Sequence, residues 1–308
     1  MQKGLVIKST GSWFTVKSET GQVINCKIKG NYRIKDIKAT NPVTVGDKVQ
    51  FLFNDDGTGI INGIEDRKNY IIRRSSNLSK RYQLIAANID QAWIIASLIK
   101  PKTFLEFIDR FLVSAEAYRI PVSIIFNKID LYDKYLIEEL QAIIHLYNKI
   151  GYQCYQVSAL ENINIGEIRK LMSGRINLIS GNSGVGKSTL INVLDPTLDA
   201  RIGALSDYHK SGKHTTTFAQ MFELSFGGFI IDTPGIKGFG IVDMEKDEIF
   251  HFFPEIFLKS SECRFYNCKH THEPGCAVKY SVDNNQISIS RYQSYLSILE
   301  DNDGKYRF

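Results

Sequence analysis

Gly181, Gly186, Lys187 and Ser188 stand in the order G-x-x-x-x-G-K-S inside RINLISGNSGVGKSTL, residues 175–190. That spacing is chemistry for a polyphosphate. Glycines let successive backbone N–H groups turn inward around an anion, and a helix beginning near Lys187 adds the positive end of its dipole. Lys187 is expected to reach the β- and γ-phosphates and the Ser188 hydroxyl to ligate Mg²⁺, with Asn182, Ser183, Gly184, Val185 and Thr189 completing the cradle. Such loops serve adenine and guanine nucleotides alike, so the base must be read elsewhere. Asn127-Lys128-Ile129-Asp130 follows the apolar run 122–126. A carboxylate at Asp130 accepts from both the N1–H and the 2-amino group of guanine. Adenine offers no such pair, and a site whose own polar groups would stay unpaired rejects it. Asn127 is expected to orient this turn and approach N7, and the Lys128 stem to cover the ring face. The Ala159 N–H, in the turn Ser158-Ala159-Leu160, is expected to meet O6.

Two further stretches complete a GTP site. Asp232-Thr233-Pro234-Gly235 follows Phe229-Ile230-Ile231, which places Asp232 on Mg²⁺ and the Gly235 N–H on the γ-phosphate, so that the loop orders only around triphosphate. The loop Gly212 to Thr217 supplies one more hydroxyl for the Mg²⁺ shell, from Thr215 or Thr216, the run itself leaving the choice open. Ile236 stands where Ras-like enzymes carry a glutamine that orients the attacking water. Slow intrinsic turnover follows, with a ligand or partner completing the site.

These residues need strands and helices to hold them. From residue 92 onward the pattern alternates strand and helix, the signature of a parallel sheet. Strands are expected at 92–98, 122–126, 154–157, 176–180, 217–224 and 228–231, with helices at 103–118, 136–150, 165–171 and from Lys187 to Leu194. A polar loop is expected over 199–214. The motif order is inverted relative to a conventional GTPase, because the Asn127 and Ser158 turns precede the phosphate loop. The domain therefore reads as circularly permuted, with Ser173-Gly174 joining the old last helix to the old first strand.

Residues 1–70 hold five or six short alternating runs separated by turn residues and no helical period, which reads as a small OB-fold barrel that contacts RNA. Lys3, Lys8, Lys17, Lys27, Lys29, Arg33, Lys35 and Lys38 outnumber Glu19 and Asp36 in the first forty residues, favouring a polyanionic partner. Asp66 to Arg81 is polar and reads as a linker. The expected domains are 1–70, an OB-fold RNA-binding barrel; 71–240, the permuted P-loop GTPase of α/β class; and 241–308, a mainly helical metal-binding domain. The last carries helices at 244–259 and 287–299.

At 308 residues, 43% hydrophobic and 23% charged with a net charge of +5, the composition is globular rather than disordered. No apolar run approaches the roughly 18 residues of a membrane helix. A soluble, cytoplasmic monomer without membrane contact is expected. Of five cysteines, Cys263, Cys268 and Cys276 crowd into a polar stretch, and together with His270 or His272 they supply three thiolates and an imidazole for one metal ion. Cys26 and Cys154 fall in strands and read as core residues.

This order, with its flanking modules, resembles the circularly permuted YjeQ/RsgA family of small-ribosomal-subunit biogenesis GTPases. Val45-Gly46-Asp47, Ala86 to Gln91, the motifs above and the cysteine-rich tail carry the resemblance over essentially the whole chain. It implies a ligand set of Cys263, Cys268, His270 and Cys276 around one structural Zn²⁺. It implies that His214, within a loop similar to the family's GxHTTT, orients the water or acts as base, although Lys213 replaces the more usual arginine. It further implies docking on the small (30S) ribosomal subunit and its rRNA in the GTP state, and departure after subunit-stimulated hydrolysis to GDP. A GTPase acting on another RNA partner, or an RNA-binding module with a structural nucleotide, would share the same motifs. Turnover that ignores small subunits marks the first, and absence of turnover the second.

Overall fold

The computed structural model describes residues 1–28, 42–74, 82–198, 220–232 and 245–300. It divides into two compact units, one of Met1–Ala92, Ile165–Ile179 and Ser188–Ile236, the other of Trp93–Asn164, Ser180–Lys187 and Lys237–Phe308.

In the first unit, β1 (Gln2–Ser9), β2 (Phe14–Ser18), β3 (Val23–Ile28), β4 (Lys48–Phe53) and β5 (Gly59–Ile64) lie in the order β1-β2-β3-β5-β4. β1 pairs antiparallel with both β2 and β4, so the ring closes, and β3 runs parallel to β5. This is the expected OB-like barrel. Strict alternation makes it: β2 buries every second residue, and Val6, Phe14, Val16, Ile24, Cys26, Phe51 and Ile61 fill the interior. The Cys26 thiol sits among them, its pKa pushed up by burial to about 11.

The expected linker, residues 66–81, contains a strand at 70–74. β6 (Tyr70–Arg74) pairs antiparallel with β7 (Tyr82–Ala87), its register shifting between Ile71 and Ile72. Further on, α3 (Ile165–Met172) turns through Ser173-Gly174 into β11 (Ile176–Gly181), which lies parallel to β13 (Phe229–Asp232). β12 (Gln220–Glu223) forms a hairpin with β13 and meets β1 at Lys8↔Gln220. The permutation join is held by this hairpin. Gly174 N–H donates to Gly227 O at 3.1 Å, Ser173 Oγ to Phe226 O at 2.8 Å, and the buried Asn177 amide to Met172 O and Arg175 O at 2.9 Å each.

In the second unit, β10 (Gln153–Gln156), β9 (Val122–Phe126) and β8 (Gln91–Ala96) lie side by side, β10 parallel to β9. α1 (Leu105–Ala117) and α2 (Lys134–Ile150) pack beside them, α2 opened by the Asp133 side chain accepting from Leu136 N–H and closed at Gly151. The expected helix 244–259 is two pieces, a 3-10 stretch Lys246–Phe252 and α5 (Pro254–Ser260). Phe253 breaks them, because a residue before proline is driven to extended backbone, here φ −113 and ψ 94. α6 (Ala277–Asp283), which periodicity did not reveal, and α7 (Ile289–Glu300) follow. Ile249, Phe253, Ile256, Val278, Val282, Tyr295 and Ile298 form their common core, with Val113 of α1. Among the described residues no helix is long and apolar enough to cross a membrane.

Candidate functional site

The phosphate loop leaves β11 at Gly181 and enters α4 (Lys187–Leu194), with Gly184 and Gly186 at φ +80 and +98. Gly186 has no alternative. A Cβ there would lie 2.3 Å from Asn127 Nδ2, so the loop and the Asn127 turn approach as only a bare backbone allows. Lys187 Nζ lies over the loop, donating to Gly181 O at 2.6 Å and Asn182 O at 2.7 Å. Val185 is buried beneath, whereas Ser188 and Thr189, next in the chain, are exposed.

Asn127 is 2% exposed and spends both ends of its amide on the protein. Nδ2 donates to Val185 O at 2.9 Å, and Oδ1 accepts from Ala159 N–H at 3.0 Å. The side chain expected near guanine N7 is thus a fastener between phosphate loop and base turn, and it holds the N–H expected at O6. Lys128, at φ +69, extends the same connection, its ammonium donating to Gly184 O at 2.7 Å and also to Lys100 O. Asp130 is exposed in the 3-10 turn Ile129–Leu131, none of whose residues is buried. Ser158 is buried, its Oγ accepting from Glu161 N–H at 3.0 Å to shape the turn that carries Ala159.

Tyr132 is a member of this site that no motif named. Its hydroxyl donates to Asn127 O at 3.0 Å and accepts from Leu98 N–H at 2.8 Å, tying the base turn to the end of β8. Burial raises its pKa. Only its place two residues after Asp130 could have drawn attention to it. His214, Thr215, Thr216 and Gly235 lie outside the described residues, as does the side chain of Asp232, whose backbone ends β13 opposite Gln220.

A second constellation lies among the C-terminal helices. Cys263, Cys268, His270 and Cys276 bring one ligand atom each within 4.8 Å of one another. His270 Nδ1 is 3.5 Å from both Cys263 Sγ and Cys276 Sγ, which are 4.0 Å apart. Tetrahedral Zn²⁺ at about 2.3 Å from sulfur demands S···S separations of about 3.8 Å. Nδ1 is the ring atom that faces both sulfurs and is offered to a metal, while Nε2 is buried on the other side of the ring. The rival His272 is exposed and faces Thr271 Oγ1 at 3.0 Å. The bend is built around Glu273, whose carboxylate accepts from the N–H groups of Lys269, Thr271 and His272. Burial pushes the Glu273 pKa up, but these backbone donors outweigh it and hold it at about 2. Tyr292 and Tyr295 brace the bend by donating to His270 O and Lys269 O at 2.6 and 2.7 Å. Burial raises the Cys268 thiol to about 12, a preference that a bound divalent cation reverses by taking the thiolate.

Comparison with known proteins agrees with this architecture. The sequence model of the RsgA GTPase matches residues 64–242, and that of the RsgA N-terminal domain matches residues 3–61. A curated protein of Bacteroides thetaiotaomicron, "Small ribosomal subunit biogenesis GTPase RsgA 2", is 57% identical over 306 residues, covering 99% of each chain. The crystal structure of YjeQ from Thermotoga maritima superposes with a TM-score of 0.78 at 32% identity, covering 97% of both chains. That of YloQ, described as a circularly permuted GTPase, does so at 0.75 and 29%, covering 97% of this chain and 94% of its own. A barrel, a glycine-rich loop that follows the Asn127 turn in the chain, and full-length likeness to such proteins lead to one conclusion: the chain belongs to the RsgA GTPase family.

Proposed function

We propose that this GTPase acts on the small ribosomal subunit late in its maturation, binding rRNA in the GTP state and leaving after hydrolysis that the subunit stimulates. The observation that carries the nucleotide half is the Asn127 amide, bonded at once to Val185 O and Ala159 N–H, which makes base turn and phosphate loop one rigid receptor. Support for the partner is the full-length likeness to relatives named for small-subunit biogenesis. The barrel adds to it, with Lys27 Nζ 4.4 Å over the ring of the partly exposed Trp13, a cation and an aromatic face suited to RNA.

In this reading Asp130 selects guanine, Lys187 and the loop N–H groups from Gly181 to Gly186 hold the phosphates, and Gly235 senses the γ-phosphate. Ser188, Asp232 and one of Thr215 and Thr216 would hold Mg²⁺, which would supply positive charge to offset that of the phosphates. His214 orients the attacking water in the absence of a glutamine at position 236. Cys263, Cys268, His270 and Cys276 would hold one Zn²⁺ in a closed, structural site. Residues 1–70 and 241–308 serve as the RNA-contacting modules of the GTPase core at 71–240. The test is GTP turnover by the full chain, alone and with isolated small or large ribosomal subunits at a stated salt concentration. Strong stimulation by small subunits only is expected; a rate indifferent to them overturns the partner.

A further inference from the structure

The stretch Ala86 to Asp90 lies outside the nucleotide motifs, yet its side chains are committed to the backbone of three other segments. Asn88 Nδ2 donates to Gly46 O at 2.9 Å and Asn88 Oδ1 accepts from Lys68 N–H at 3.0 Å. Ala87 N–H donates to Val45 O at 2.8 Å, and the approach is so close that a Cβ on Gly46 would fall 2.0 Å from Ala87 O. The Val45-Gly46-Asp47 turn is itself part of the barrel, since Gly46 N–H donates to Val6 O and Val6 N–H to Asp47 O. Asp47, fully buried, takes two bonds from the Arg67 guanidinium at 2.6 and 2.7 Å. Two residues beyond Asn88, the other side of the connection begins. Asp90 N–H donates to Ile176 O at 2.9 Å, and Asp90 Oδ2 accepts from Ile176 N–H at 2.7 Å, while Oδ1 pairs with Lys68.

Ile176 is the first residue of β11, the strand that ends at Gly181 and becomes the phosphate loop. A strand advances about 3.3 Å per residue and does not compress along its axis, so what fixes Ile176 fixes the loop's entry. We infer that Asn88 and Asp90 are positioning residues that couple the N-terminal barrel to the phosphate loop, so that nucleotide occupancy and the state of the barrel influence each other. The buried Asp47–Arg67 pair suits this role better than one of plain stability, because ion pairs taken out of water return little net energy but fix register. Coupling of this kind is reciprocal: what nucleotide does to the barrel, a barrel ligand does to nucleotide affinity. Nucleotide binding is the only premise, so failure of the ribosomal reading leaves the relay standing.

The test is amide hydrogen exchange of the full chain with and without saturating GDP and Mg²⁺, followed at Val6, Gly46 and Ala87. In the wild type, GDP is expected to slow exchange there by about fivefold or more, the lower end of ordinary coupling. In Asp90→Ala, and in Asn88→Gly, which suits the φ of +54 at that position while removing both side-chain bonds, the GDP-dependent difference is expected to vanish. Fluorescent-GDP affinity should stay within about threefold of wild type, since neither residue lies in a nucleotide motif. A structural role alone would quicken exchange equally with and without GDP. If Asp90→Ala does not fold, Asn88→Gly decides. Wild-type barrel amides that ignore GDP, or a folded variant that keeps the wild-type difference, overturn the relay.

Discussion

Arg291 and Asp109 lie 182 residues apart in the chain and meet at 2.8 Å with both side chains fully buried. The Arg291 guanidinium also pairs with Glu255 at 2.7 Å and lies 4.6 Å over the Phe253 ring, while Tyr147 and Ser294 hydroxyls donate to Asp109 at 2.8 and 2.6 Å. Burial by itself would lower the Arg291 pKa; the carboxylates of Asp109 and Glu255 outweigh it and raise the pKa. α1, α2, α5 and α7 thus share one buried charged node. Removing one partner of such a node leaves a stranded charge, which costs about 3–5 kcal/mol. Asp109→Ala is expected to lose that much in urea unfolding, and a loss below about 1 kcal/mol would show that the node contributes register alone.

Asn127 gives the sharpest test of the nucleotide receptor. Asn127→Ala leaves Val185 O and Ala159 N–H without their partner, and each stranded polar group costs about 1–3 kcal/mol. GTP and GDP affinities, titrated with a fluorescent analogue, should both fall by about 30-fold or more, a loss of about 2 kcal/mol. An unchanged affinity would mean that turn and loop hold their places without the amide.

What could be read from the sequence was local, and what could not was long-range. Alternation within β2 and β3 gave the barrel, and the G-x-x-x-x-G-K-S spacing located the loop, because each signal lies within a few residues. Asn127 was recognised by type, yet its partners stand 32 and 58 residues away, so its role as a fastener had no local trace. β6 was hidden among the cations of residues 66–81, its apolar signal being only Ile71-Ile72. The break at Phe253 was legible in Pro254 and was overridden by a helical period.

Asp195 provides a pH test away from any metal. Its buried carboxylate accepts from Ser225 N–H at 2.6 Å and from Thr197 N–H and Oγ1 at 3.1 and 2.7 Å. Burial pushes its pKa up, but these donors prevail and hold it below the ordinary 3.8. A carboxyl with a depressed folded-state pKa contributes stability that is complete above its unfolded value and lost as pH falls through the folded one. The stability difference between wild type and Asp195→Asn should therefore be constant above about pH 5 and shrink below about pH 4. A difference that grows on acidification would contradict the assignment.

The proposed base selection rests on Asp130, which is exposed. Asp130→Asn replaces an acceptor pair by an amide, which matches the 2-oxo group of xanthine. Competition in the turnover assay should show GTP losing at least about 100-fold against XTP, because a mismatched polar edge is rejected strongly. Retained GTP preference would remove Asp130 from this role.

Metal removal should act locally. The C-terminal helices have an apolar core of their own, including Ile249, Phe253, Ile256, Val282, Tyr295 and Ile298, and Arg291 anchors α7 at the buried node. The segment from Ser261 to Cys276 has much less: its buried residues are Cys268, His270 and Cys276, and its bend is braced by Tyr292, Tyr295 and Glu273. Stripping Zn²⁺ with a thiol-reactive mercurial and a chromogenic chelator should release one ion per chain. Limited proteolysis should then cut between Arg264 and Lys269, while far-UV circular dichroism keeps most of its helical signal. Cys268→Ser should reproduce the protease sensitivity without treatment, because a hydroxyl is a poor replacement for a thiolate ligand. Collapse of the whole helical signal would instead make the metal the staple of α5 to α7, and absence of any released ion would remove the metal from the site.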